Sequence, residues 1–200
     1  MLQFFSSSAR IVNTSRAVLE TLEIAMDDQY ADADLLIFHA SVGHDFDEML
    51  SKAKELAPNA EIVAASCCGV VGKEGVSESM KDIALMAVKG KEFAVSYVDG
   101  IYGHNAYEKT LEMAKDLKAK DPNINMIYTL ASGIDIANDE SIRAIEEVFG
   151  EDIHIFGATS SDNMKGIVSY QGFGDQVHEH GAYLVGFSDP TLKVETQATH

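Results

Sequence analysis

The stretch IVAASCCGVVGKEG, residues 62–75, is an apolar run that stops at Ser66, two adjacent cysteines and a glycine. Continuous small and β-branched residues predict a strand buried on both faces, and the switch to Ser, Cys and Gly predicts a tight loop at its end. Upstream, DLLIFHA (34–40) reads as a second buried strand. Between them DFDEMLSKAKELA (45–57) is an amphipathic helix closed by Pro58 and Asn59. Strand, helix, strand implies a parallel pair with a right-handed crossover, so both strands end on the same side of their sheet.

The order then returns. INMIYTLAS (124–132) matches DLLIFHAS, NDESIRAIEEVFG (138–150) is the next helix with Asn138 as its cap, and DIHIFGATSSDN (152–163) matches EIVAASCCGV. GAYLVGF (181–187) stands where DIALMAV (82–88) stood. DIALMAV and EFAVSYV (92–98) flank KGK and read as a hairpin, and GFGD (172–175) as a hairpin turn needing positive φ. LQFF (2–5) reads as an edge strand, residues 14–28 as a helix capped by Asn13, Thr14 or Ser15, and residues 105–120 as another helix. The expected fold is mixed α/β: a mixed sheet built from two pseudo-repeated strand–helix–strand–loop–strand units, with helices packed on it.

Composition bounds the function. The chain has 200 residues, 46% of them hydrophobic, enough for a full core. Its net charge of −17, from 15 basic and 32 acidic residues, speaks against nucleic acid and anionic membrane surfaces. No apolar run reaches the ~18 residues of a membrane span, and the N-terminus lacks a signal-peptide pattern. With two adjacent cysteines and no disulfide framework, a cytoplasmic location is expected.

Ligands of open α/β sheets bind beyond the carboxyl ends of strands, where HASVGHD, ASCCGVVG, ASGIDI and GATSSDN would emerge together. The candidate ligand-binding residues are His39, Ser41, Ser66, Cys67, Cys68, Gly69, Ser132, Gly133, Thr159, Ser160, Ser161, Asp162 and Asn163. No catalytic or metal residues are assigned. Cys67 or Cys68 as a nucleophile would need a base such as His39. His178 and His180 alternate and could share a strand face, but no C-x-x-C accompanies them. Gly69, Gly72 and Gly75 do not form a phosphate loop, because Lys73 is not followed by Ser or Thr. Asp162 is either an Asx-turn residue or the partner of a ligand ammonium group.

Taken together, ADLLIFHAS, EIVAASCCGVVGKEGV, DIALMAV, IYTLASGI, IFGATSSDNMK and YQGFGDQVHEHGAYLVGF resemble the FIST N-terminal domain family from about residue 14 to 188. Ser66, Cys67, Cys68 and Gly69 occupy a loop similar to the family's C-S-T-x-G, with Cys68 where Thr is usual. Gly157, Ala158, Ser161 and Asp162 occupy one similar to G-G-x-x-G-D. The resemblance implies a prokaryotic sensory domain over residues 1–188 that binds an amino acid or a similar small polar compound, with no cofactor. Residues 189–200 would be a tail toward a FIST C-terminal domain. Implied partners are that domain and a histidine kinase, cyclase or chemotaxis receptor. A haem-based nitric-oxide sensor is the alternative within the family, and a cysteine-dependent transferase or hydrolase the alternative among enzymes.

Overall fold

A computed structural model describes residues 1–72 and 75–195. The first half of the chain runs β1 (Gln3–Arg10), α1 (Thr14–Met26), β2 (Leu35–Ser41), α2 (Phe46–Leu56), β3 (Glu61–Cys67), the short strands β4 (Val70–Gly72) and β5 (Gly75–Ser77), and β6 (Asp82–Lys89). The second runs β7 (Phe93–Val98), α3 (Ala106–Lys120), β8 (Met126–Ala131), α4 (Asn138–Phe149), β9 (His154–Thr159), the short strands β10 (Gln171–Phe173) and β11 (Gln176–His178), and β12 (Ala182–Phe187).

The mixed α/β class is as expected, but the strands form two main sheets rather than one. Their orders are β1-β6-β2-β3-β10-β11 and β7-β12-β8-β9, with β4-β5 a separate pair. β2 runs parallel to β3 and β8 parallel to β9, whereas β6 and β12 enter antiparallel.

Alternation along each strand explains the layering. Leu36, Phe38 and Ala40 of β2 turn one way and pack with Ile62, Ala64, Ile83 and Leu85 against Ala17, Val18 and Leu22 of α1 and Met49 and Leu50 of α2. Leu35 and Ile37 turn the other way and meet the second sheet, where Val63 and Val88 pack with Tyr128, Leu130, Tyr183, Val185 and Phe187. The far face of that sheet, with Ile127, Ala131 and Leu184, is covered by Met113 and Leu117 of α3 and Ile145 of α4. Helices therefore flank two stacked sheets in four layers. Strands buried on both faces are apolar at every position, which is why they read as unbroken runs.

Caps set the helix starts. The Asn13 side chain accepts from the Arg16 amide and Asp45 accepts from Glu48. At α4, Ala137 holds the N-cap position and Asn138 is already helical, while Gly150 with φ 93° ends the helix. The GFGD turn forms with φ 58° at Gly174 and 64° at Asp175, as a two-residue hairpin of this hand requires.

Two further expectations change. DIALMAV and EFAVSYV are not a hairpin: β6 inserts between β1 and β2, β7 pairs with β12, and the KGK turn carries the chain from one sheet to the other. β11 ends at His178, so His178 and His180 do not share a strand face; His178 stacks on Phe173 and His180 on Tyr102. At residue 189, where the tail is expected to begin, the buried Asp189 carboxylate accepts the Leu2 amide at 2.7 Å. Residues 196–200 of that tail, like Lys73, lie outside the described residues. Among the described residues, no helix is long and apolar enough to cross a membrane.

Phe187 is fully buried between the sheets. Phe187→Ala should cost about 3–5 kcal/mol in urea unfolding, seen as a lower midpoint; a loss below about 1 kcal/mol would contradict this layering.

Candidate functional site

The loops after β3, β8 and β9 meet. Ser66, the last buried residue of β3, donates its amide to the Tyr170 carbonyl at 2.8 Å and accepts the Tyr170 amide on its hydroxyl at 2.8 Å. Its carbonyl accepts the Ser161 amide at 2.9 Å, and the Ser161 hydroxyl accepts the Cys68 amide at 3.1 Å. Two sheets are thus joined through three candidate residues, Ser66, Cys68 and Ser161.

Behind this junction lies a buried polar network. The Gln171 side-chain amide donates to the hydroxyls of Ser160 and Ser169, and its carbonyl accepts the Gly181 amide at 2.7 Å. Ser169 bonds Ser132 at 3.1 Å, and Ser160 closes onto the Ala131 carbonyl. Ser132, Ser160, Ser169 and Gln171 are all essentially inaccessible, and their mutual bonds offset the cost of burial. A Cβ on Gly133 would lie 1.9 Å from the Ser160 carbonyl oxygen, so only glycine allows the β8 and β9 loops to approach this closely.

The network walls an open cleft of about 390 Å³, lined by Cys68, Gly133, Thr159, Ser161, Asp162 and Met164 among others. The Thr159 hydroxyl has no hydrogen-bond partner among the described residues. Asp162 is committed: its carboxylate accepts the amides of Lys165, Gly166 and Ile167 at 2.7–2.9 Å. These backbone donors, Ile167 and Gly166 foremost, hold its pKa down at about 2. Both oxygens therefore serve the turn, with Met164 left almost fully exposed at its tip and in left-handed backbone, φ 70°.

Not every candidate lines the cleft. His39 lies on the inter-sheet face of β2, where its Nε2 meets the Tyr128 hydroxyl at 2.7 Å and burial lowers its pKa. Ser41 is buried, its hydroxyl without a partner among the described residues. Gly69 packs against the Ser77 carbonyl, and Asn163 is exposed on the turn. The two cysteines are free thiols. Burial pushes the Cys67 thiol up to about 11, and His39 engages Tyr128 rather than a cysteine. Ser169, Gln171, Tyr128 and Tyr170 escaped the sequence reading, because GIVSYQG has no periodic pattern and Tyr128 sits inside an apolar strand.

A family model described as the FIST N domain matches residues 34–200. The chain belongs to the FIST N domain family. The family is one of small-molecule sensory domains in signal transduction. No curated protein sequence matches this FIST N domain. Among solved structures, a cyanuric acid hydrolase from A. caulinodans is similar over 94% of this chain and 72% of its own, at 8% identity and a TM-score of 0.40. A likeness that slight bears on neither fold nor function.

Two outcomes are expected. Gly133→Ala should destabilise the FIST N domain by about 1–3 kcal/mol, read from chemical denaturation; an unchanged midpoint would mean that the loops do not meet this closely. Asp162 binds fewer protons folded than unfolded, so its contribution is present above pH 3.8 and is lost as pH falls toward 2. Asp162→Asn should accordingly lower Tm at neutral pH and narrow its gap from the parent protein as pH drops through that window. A gap that widens on acidification would contradict the turn role.

Proposed function

We propose that this FIST N domain binds an amino acid or a similar small polar compound in the cleft where the β3, β8 and β9 loops meet. The observation that carries this reading is the Ser161–Ser66 hydrogen bond, which sets Cys68 from the first sheet beside Gly133, Thr159 and Ser161 from the second around one open space. With Asp162 occupied by its turn, recognition falls to the Thr159 hydroxyl, the Ser161 and Cys68 side chains and the loop backbone. Because the loops belong to different sheets, a ligand that binds one relative placement better shifts the population toward it. A histidine kinase, cyclase or chemotaxis receptor would read that shift.

Among the described residues no histidine lines the cleft, and Cys68 and Met164 are the side chains there that could reach a haem iron. The buried His39 and His44 are instead engaged with Tyr128 and Thr14. Thiol chemistry at Cys67 is disfavoured by its burial, which raises its pKa.

A thermal-shift screen with amino acids and small carboxylates, followed by calorimetry on the strongest hit, tests the proposal. Thr159→Val should weaken that hit by about five- to tenfold, the value of one hydrogen bond. Unchanged affinity in Thr159→Val and in Cys68→Ser together would place the ligand elsewhere. A Soret band in the absorption spectrum of the purified protein would overturn the reading in favour of haem.

A further inference from the structure

The two halves each carry a pair of short antiparallel strands, three residues against three. β10-β11 pairs Gln171 with His178, Gly172 with Val177 and Phe173 with Gln176. β4-β5 pairs Val70 with Ser77, Val71 with Val76 and Gly72 with Gly75. Their fates differ. β10 adds antiparallel to β3, with Gly172 opposite Ala64 and Gln171 opposite Ala65, whereas β4-β5 joins no larger sheet among the described residues. Its Val71 and Val76 are 80% and 74% exposed.

The acceptor side is equally one-sided. In the parallel pairs, Phe38 and His39 lie opposite Ala64 and Ala65, and Thr129 and Leu130 lie opposite Gly157 and Ala158. Gly157 and Ala158 therefore hold on β9 the positions that Ala64 and Ala65 hold on β3. On β3 those residues are fully buried; on β9, the edge of its sheet, both are exposed. A groove of about 380 Å³ runs along this edge beside Ser141 and Ile142 of α4. It stands where β10-β11 fills the space between β3 and α2, with Gly172 against Leu50.

One face of β4-β5 packs on the first sheet through the buried Val70 and through Gly72 against Ser8, while its Val71–Val76 face is open. From this pairing of a hairpin outside any larger sheet with an unfilled edge, we infer that β4-β5 of one copy of this chain adds to β9 of a second copy, making a head-to-tail contact. The sizes match: where Gly172 meets Ala64 within the chain, Val71 would meet Gly157 between chains. Strand addition satisfies the open hydrogen-bonding groups of an edge, and alternate side chains supply its fit. Because donor and acceptor are different surfaces, the contact is heterologous and each copy keeps one of each. The inference does not depend on the ligand cleft.

Sedimentation velocity of the full chain over a concentration series tests it. The parent protein should associate as concentration rises. Val71→Glu, which charges the donor, and Ala158→Glu, which charges the acceptor edge, should each raise the dissociation constant at least about tenfold while melting like the parent. An equimolar mixture of the two variants should restore association and stop at a dimer, because one copy retains the only good hairpin and the other the only good edge. A parent protein that stays monomeric throughout would overturn the inference. So would Val71→Glu that still associates while Ala158→Glu does not, since that pattern means edge-to-edge pairing of β9.

Discussion

One short antiparallel contact, β10 on β3, is the place where the second half of the chain enters the sheet of the first. The rest of the junction depends on it. Gly172 permits it, because a Cβ there would stand 3.0 Å from the Ala64 Cβ and 3.0 Å from the Leu50 side chain. With β10 seated, Tyr170 is positioned to exchange two hydrogen bonds with Ser66, and the Ser66 carbonyl is left to receive Ser161. Gln171, on the same strand, turns into the interior and gathers Ser160, Ser169 and Gly181. A pairing of a few residues thus fixes a loop junction that the apolar layers alone would leave unspecified.

The division of labour follows from the physics. Burial of Leu35, Ile37, Tyr183, Val185 and Phe187 between the sheets, and of helix faces outside them, supplies most of the driving force but little directionality. The buried hydroxyls and the Gln171 amide supply directionality, since each unpaired polar group in that interior would carry a desolvation penalty. The same logic explains Asp162. A carboxylate saturated by backbone amides has little left to offer a ligand, and its depressed pKa reports how much the turn relies on it.

Much of this was legible in the sequence. The strands announced themselves as apolar runs because both faces are buried, and of the three caps offered for the first helix Asn13 is the one used, whereas Asn138 is already helical. The parallel strand–helix–strand order put the two strand ends of each half on one side of their own sheet. That the loops bearing Ser66 and Ser161 meet across two sheets depends on β10 pairing with β3, which that order did not give. The failures share a cause, which is partner choice at long range. KGK has the look of a hairpin turn, yet β6 and β7 belong to different sheets, and nothing local to residues 82–98 encodes that. His39 alternates with Leu35 and Ile37, so its inward direction was readable, but not the second sheet that brings Tyr128 to it. Ser169 and Gln171 lie in a stretch whose structure is dictated by β3, far away in sequence.

Residue-resolved hydrogen exchange in the parent protein and in Gly172→Val tests the clasp most directly. If β10 on β3 holds the loops together, the Ser66 and Ser161 amides should be protected in the parent and should lose protection together in the variant. Amides of β12 should keep theirs. Protection of Ser161 that survives while that of Ser66 is lost would contradict the dependence, and would mean that the loops are held by something other than this pairing.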